Sequence, residues 1–127
     1  MARCYSIAID TNILLYIEKF KVDVFTQLKE KFGRVKFYIP KQVMEELKKI
    51  SEKGKKLSRQ VAIAEKLLKK HDVRIKNISD LNADEALLKL AEQGFIIATN
   101  DKQLRDRIKE KGGKVLIIRQ KKFVEEF

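Results

Sequence analysis

The stretch "YSIAIDTNILLYIEKF", residues 5–20, decides the fold. An apolar run, Ile7-Ala8-Ile9, ends on an acid, Asp10, and apolar residues resume at once with helical spacing. A strand passing so abruptly into a helix suits a parallel strand–helix–strand unit. A charge at that junction costs free energy unless it has a partner or a task. Asp10 is therefore either the cap of the following helix or part of a site.

The same alternation continues outward along the chain. Candidate strands at 5–10, 35–39, 73–77, 95–99 and 115–118 alternate with candidate helices at 12–31, 41–51, 58–71, 83–93 and 102–111. Gly33, Gly94 and Gly112-Gly113 stand where helices should stop. This reads as an α/β domain with a mainly parallel sheet. The 127 residues suit one domain, 1–127, and there is no Gly/Ser linker, internal repeat or low-complexity tract. The stretch "EKGKKL", 52–57, reads as a basic connection between helices, either solvated or in contact with phosphate.

Lys and Arg number 29 against 18 Asp and Glu, a net charge of +11 that favours a polyanionic partner, nucleic acid ahead of a membrane surface. The one cysteine, Cys4, allows no intramolecular disulfide. It is expected to be a small packed residue beside the first strand, in an intracellular protein. Asp10 and Glu18 interrupt the amino-terminal apolar stretch, so it does not read as a signal peptide. No run approaches the roughly 20 apolar residues of a spanning helix. A soluble, cytoplasmic protein is expected.

Several chemistries fall away early. Neither the G-x-G-x-x-G nor the G-x-x-x-x-G-K-[ST] pattern occurs. The single histidine, His71, ends a candidate helix after a Lys pair and is expected to face water. One histidine cannot serve a two-histidine ribonuclease, and a Ser-His-Asp arrangement or a His/Cys zinc site lacks its parts. Carboxylates remain, and periodicity sorts them. In "PKQVMEELKKI" Val43, Leu47 and Ile50 form an apolar stripe that Glu46 flanks, whereas Glu45 points away. In "NADEALLKLAEQG" Asp84 shares a face with Leu87, Leu88 and Ala91. Its neighbour Glu85 lies on the solvated face, where Asn82 and Glu85 look like a variant of the capping box.

Asp10 and Asp101 both follow strands, and each could cap a helix. In an open parallel sheet, however, the ligand crevice lies at the carboxyl ends of strands where the strand order reverses. If the first and fourth strands flank that point, Asp10 and Asp101 become neighbours, and Glu46 and Asp84 lean in from helix starts. Four such carboxylates repel one another and raise each other's pKa values. Divalent cations relieve this, and an oxygen-only set suits Mg²⁺ or Mn²⁺, ions that serve phosphodiester hydrolysis.

At these residues the sequence resembles the PIN domain family of metal-dependent ribonucleases, over nearly the whole chain. The resemblance rests on "IDTNILL", "IPKQVMEEL", "ADEALLKLA" and "ATNDKQL", in the family's order and spacing. It implies a three-layer α/β/α sandwich with a five-stranded sheet in the order 3-2-1-4-5. It also implies that Asp10, Glu46, Asp84 and Asp101 hold one or two Mg²⁺ or Mn²⁺ ions, supported through hydrogen bonds by Asn12 and Thr99. Asp106 could stand in for a further acid of some members, but its helical angle points away from Leu104 and Ile108, so it reads as surface charge.

The function so implied is a metal-dependent endoribonuclease, with Lys48, Lys49, Lys53, Lys55, Lys56 and Arg59 guiding the RNA backbone. Within the family the sequence looks closer to stand-alone archaeal proteins related to the ribosomal-RNA-processing branch than to toxins of toxin–antitoxin pairs. Implied partners are RNA, a second copy of the chain, and an inhibitor or ribosome-assembly protein. Phe123 and Phe127 in the tail "RQKKFVEEF" could make the contact between copies or cover the core. The alternatives are a toxin-type ribonuclease and a non-catalytic RNA-binding module. A haloacid-dehalogenase-like phosphatase would need a second acid where Asn12 stands. A response-regulator receiver would need one where "VRIKN" stops at Asn77.

Overall fold

The computed structural model describes residues 3–127. The first strand, β1 (Cys4–Ile9), runs directly into α1 (Thr11–Phe20), and α2 (Val24–Phe32) follows. Then come β2 (Arg34–Pro40), α3 (Lys41–Ser51), α4 (Lys55–Lys70) and β3 (Arg74–Lys76). The chain continues through α5 (Ala83–Glu92), β4 (Ile96–Ala98) and α6 (Lys102–Glu110) to β5 (Val115–Arg119) and β6 (Phe123–Glu126).

The sheet order is β3-β2-β1-β4-β5-β6. The first five strands are parallel in the expected order 3-2-1-4-5, and β1 lies between β2 (Ile7 opposite Phe37) and β4 (Ile7 opposite Ile96). Strand order therefore reverses at β1 and β4, and their carboxyl ends open the crevice.

Period-two alternation builds two cores, one on each face of the sheet. Ile7 and Ile9 pack with Ile13, Leu14, Phe25, Val43, Leu47 and Val61 from α1 to α4. Ala8 and Ile97 point the other way, onto Leu87, Leu90, Leu104 and Ile108 of α5 and α6. The result is the α/β/α sandwich. Each fully buried aliphatic side chain contributes about 1.5–3 kcal/mol of transfer free energy. Gly113 stays small for a local reason: a Cβ there would lie 2.5 Å from Ile108 Cγ2 and 3.2 Å from Ile108 O, so a larger residue would force Ile108 to shift.

Five expectations need correction. The helix expected at 12–31 is two helices. Lys21 turns left-handed (φ 56°), Val22 is buried, and Asp23 starts α2 by accepting from Thr26 N at 3.1 Å. The basic connection is only Glu52-Lys53-Gly54, since α4 already begins at Lys55 without a capping side chain.

The tail adds a sixth strand, β6, antiparallel to β5. Its turn carries Gln120 and Lys121 at φ 56° and 57°, where Gly or Asn would be usual. The side chain of Gln27 on α2 compensates, donating to Lys122 O and accepting from Val124 N. Phe123 and Phe127 remain partly exposed, with the Arg105 guanidinium 4.0 Å over the Phe127 ring.

Cys4 is exposed rather than packed, because it begins β1 at the sheet's rim. His71, expected to face water, is half-buried and stacks on Phe25 with ring centroids 4.3 Å apart. No helix among the described residues is long and apolar enough to cross a membrane.

Candidate active site

The crevice begins where β1 ends. Asp10 is 5% exposed, and its backbone N–H donates to Ala98 O at 3.0 Å, stitching the ends of β1 and β4 together. Its carboxylate has two occupations. Oδ1 accepts from Thr11 N at 2.7 Å as the cap of α1. Oδ2 accepts from the Thr99 hydroxyl at 2.7 Å and from Asn12 Nδ2 at 3.3 Å. Capping and participation in a site are therefore not alternatives here. Each oxygen has two lone pairs, so acceptor capacity remains.

Thr99 is fully buried just past β4, and its Oγ1 also accepts from Asp101 N at 3.1 Å. Asp101 caps α6 through Oδ1, accepting from Leu104 N at 3.2 Å. Glu46 arrives from the second turn of α3, half-buried as its place beside the apolar stripe requires, and accepts from the Thr11 hydroxyl at 2.6 Å. Asp84 is half-buried on α5. Glu85 completes a capping box, with Glu85 N donating to Asn82 Oδ1 and Asn82 N donating to Glu85 Oε1. Glu45 and Asp106 are exposed.

Electrostatics tie the four acids into one cluster. Burial pushes the Asp10 carboxyl up to about 6; the Thr99 and Thr11 hydrogen bonds oppose the rise, and the charges of Asp84 and Glu46 add to it. Asp84 is raised as well, chiefly by burial and then by Asp101 and Glu46, while Arg107 on α6 pulls it down.

The cluster is thus short of positive charge, and its donors are all oxygens, which suits a hard divalent cation. Among the described residues no three acidic, His or Cys side chains are drawn tightly enough together to hold an ion by themselves. Waters would complete the coordination shell, as is usual for Mg²⁺.

The six basic residues lie outside this cluster, all of them exposed. Lys48 and Lys49 follow Glu46 on α3, Lys53 lies in the connection, and Lys55, Lys56 and Arg59 open α4. Lys56 and Arg59 share a surface depression with Glu18, near the far end of α1. At 1.5 Å rise per residue that is roughly 10 Å along α1 from its start beside Asp10. A separate cavity of about 320 Å³ at the opposite end of the strands, lined by Cys4, Tyr5, Phe95 and Lys114 among others, contains no acid.

Three neighbours of the acids were given no role from sequence. Thr11, buried, bonds Glu46. Asn100 extends the seam between β4 and β5 by accepting from Ile118 N at 2.8 Å, and its own N–H donates to Asn12 Oδ1. Arg107 places a cation near Asp84. Thr11 and Asn100 stand inside the motifs quoted above, which was the available signal; nothing local marks Arg107.

Comparison with known proteins bears on the family and the fold. A family model described as a PIN like domain matches residues 7–121. The chain is 34% identical over 130 residues to a protein of Methanocaldococcus jannaschii called ribonuclease VapC4, covering 97% of both chains. It is 38% identical over 120 residues to ribonuclease VapC9 of Archaeoglobus fulgidus, covering 91% of this chain and 84% of that one. Among solved structures, that of the PIN domain endonuclease Utp24 superposes with a TM-score of 0.78 at 27% identity, covering 97% of this chain and 92% of the other.

Proposed function

The chain belongs to the PIN-like domain family, and we propose that it is an endoribonuclease that hydrolyses RNA phosphodiester bonds with Mg²⁺ or Mn²⁺ held at Asp10, Glu46, Asp84 and Asp101. Two similar proteins named ribonucleases and the likeness to an endonuclease support nuclease activity. The observation that carries the metal is the Asp10 carboxyl, held by three donors yet pushed up, chiefly by burial and further by the charges of Asp84 and Glu46.

A divalent ion bound there would activate a water and neutralise charge on the phosphate. The chain's own residues set the stage for it. Thr99 and Thr11 Oγ1 orient the Asp10 and Glu46 carboxylates, Asn12 bonds the same Asp10 oxygen as Thr99, and Asp101 is fixed by its cap on α6.

Lys48, Lys49, Lys53, Lys55, Lys56 and Arg59 form the proposed path for the RNA backbone. Lys55 and Lys56 also lie in the first turn of α4, where the helix dipole disfavours cations, so an arriving phosphate would relieve that repulsion. The names of the two similar ribonucleases favour a toxin-type enzyme with a protein inhibitor. A role in ribosomal-RNA processing, with an assembly partner, is the second reading, favoured by the structural likeness to Utp24. A homodimer and a cytoplasmic location complete the proposal.

Incubation with a labelled circular RNA tests the reading. Linear product with Mn²⁺ or Mg²⁺ and none with EDTA is expected, since only an endonuclease opens a circle. Cleavage that survives EDTA would overturn the metal, and RNA binding without cleavage under any divalent ion would favour the non-catalytic module.

A further inference from the structure

Gln42 is the second residue of α3, one helical turn before Glu46. Its carboxamide nitrogen donates to two carbonyl oxygens, those of Ile78 and, at 2.9 Å, Leu81. Two carbonyl partners admit only the nitrogen, which fixes the orientation of the amide. Both carbonyls lie in the connection from β3 to α5, just ahead of Asn82, which caps α5, and of Asp84 in its first turn. Among the described residues, 78–81 make no backbone–backbone hydrogen bond outside the strands and helices, so the bonds from Gln42 are their tether. The same connection holds Asp80 in a left-handed conformation, φ 63°.

We propose that Gln42 is a positioning residue that clamps the start of α5 against α3, and so sets the separation of Glu46 and Asp84 across the acidic crevice. This rests on the ribonuclease reading only in that the crevice takes a divalent ion. The two acids repel each other, and a tether that donates two hydrogen bonds from one side chain resists their drifting apart. Gln42 Oε1 is buried with no hydrogen-bond partner. The amide is thus placed for its donors, at the expense of its acceptor. Side chains that hold first-contact ligands in place are worth about 10–100-fold in metal affinity, and Gln42 acts at one remove, through the backbone that carries Asp84.

The test is Mn²⁺ binding measured by calorimetry, paired with hydrogen exchange at residues 82–86, on the full chain and its Gln42→Leu and Gln42→Asn variants. Leu keeps the volume and donates nothing, whereas Asn keeps the donors but withdraws them by one methylene. Gln42→Leu is expected to weaken Mn²⁺ binding about ten-fold and speed exchange at 82–86, with RNA affinity in EDTA unchanged. Gln42→Asn should fall between, and it carries the test alone if Gln42→Leu fails to fold. Mn²⁺ affinity and exchange both equal to wild type would overturn the clamp. Should wild type itself bind no Mn²⁺, the metal reading fails separately. Exchange at 82–86 then decides the clamp: faster in the variants sustains it, and unchanged rates overturn it.

Discussion

The Thr99 hydroxyl donates to Asp10 Oδ2 at 2.7 Å and accepts from Asp101 N at 3.1 Å, so one buried oxygen links the acids that follow β1 and β4. Replacing Thr99 with Val keeps the shape and removes the link. Because this hydrogen bond holds the Asp10 carboxyl down, its loss raises that carboxyl further. The acid limb of the cleavage–pH profile should move to higher pH, and the cleavage rate at pH 7 should fall. Loss of the bond should also cost about 1–3 kcal/mol of stability. An acid limb unmoved in Thr99→Val would refute the link.

Asp10 also predicts how the metal-free fold responds to pH. Its folded pKa, about 6, stands above the ordinary 3.8, so between those values the folded state binds more protons than the unfolded. Its contribution to stability is thus present at pH 4, declines as pH rises through 6, and stays lost above. The swing is about 3 kcal/mol. Denaturant melts of Asp10→Asn, which cannot ionise there, should lack this decline and gain on wild type as pH rises. Parallel pH curves for the two proteins would count against the buried carboxyl.

Neighbouring acids offer a paired comparison. Asp84→Asn removes repulsion within the cluster, so the metal-free fold should hold or gain stability while cleavage falls at least about 100-fold. Glu85→Gln should change cleavage little and shift stability by no more than about 1 kcal/mol, the scale of a cap. Measured together, rate and melt distinguish the two roles, and the reverse pattern would contradict them.

The basic path should show itself in salt dependence. Changing Lys55, Lys56 and Arg59 together to Ala should weaken RNA binding and flatten the slope of log affinity against log salt by about 2 for a single strand, roughly 0.7 per lost phosphate contact. The rate at saturating RNA should stay near wild type. An unchanged slope would place the RNA elsewhere.

The mainly parallel sheet was legible because each apolar run is short, bounded and followed by a helical period, whereas the order of its strands was implied by the family resemblance alone. What escaped had no local marker. The break at Lys21 uses neither Gly nor Pro, α4 starts without a capping side chain, and β6 depends on a turn that Gln27 stabilises from across the chain. Among the acids, helical angle separated Asp84 from Glu85 and Glu46 from Glu45, since burial follows the apolar stripe. Thr11 with Glu46, and Gln42 with Ile78 and Leu81, are pairings across 35 to 39 residues. Only the folded chain brings them together.

The most direct measurement is single-turnover cleavage of a labelled structured RNA by wild type and Asp10→Asn, with Mn²⁺, Mg²⁺ or EDTA, alongside RNA affinity in EDTA. Cleavage by wild type with metal alone, at least about 100-fold slower in Asp10→Asn at unchanged affinity, is the expected result. Equal rates from the two proteins would contradict the assignment of Asp10 to the reacting centre.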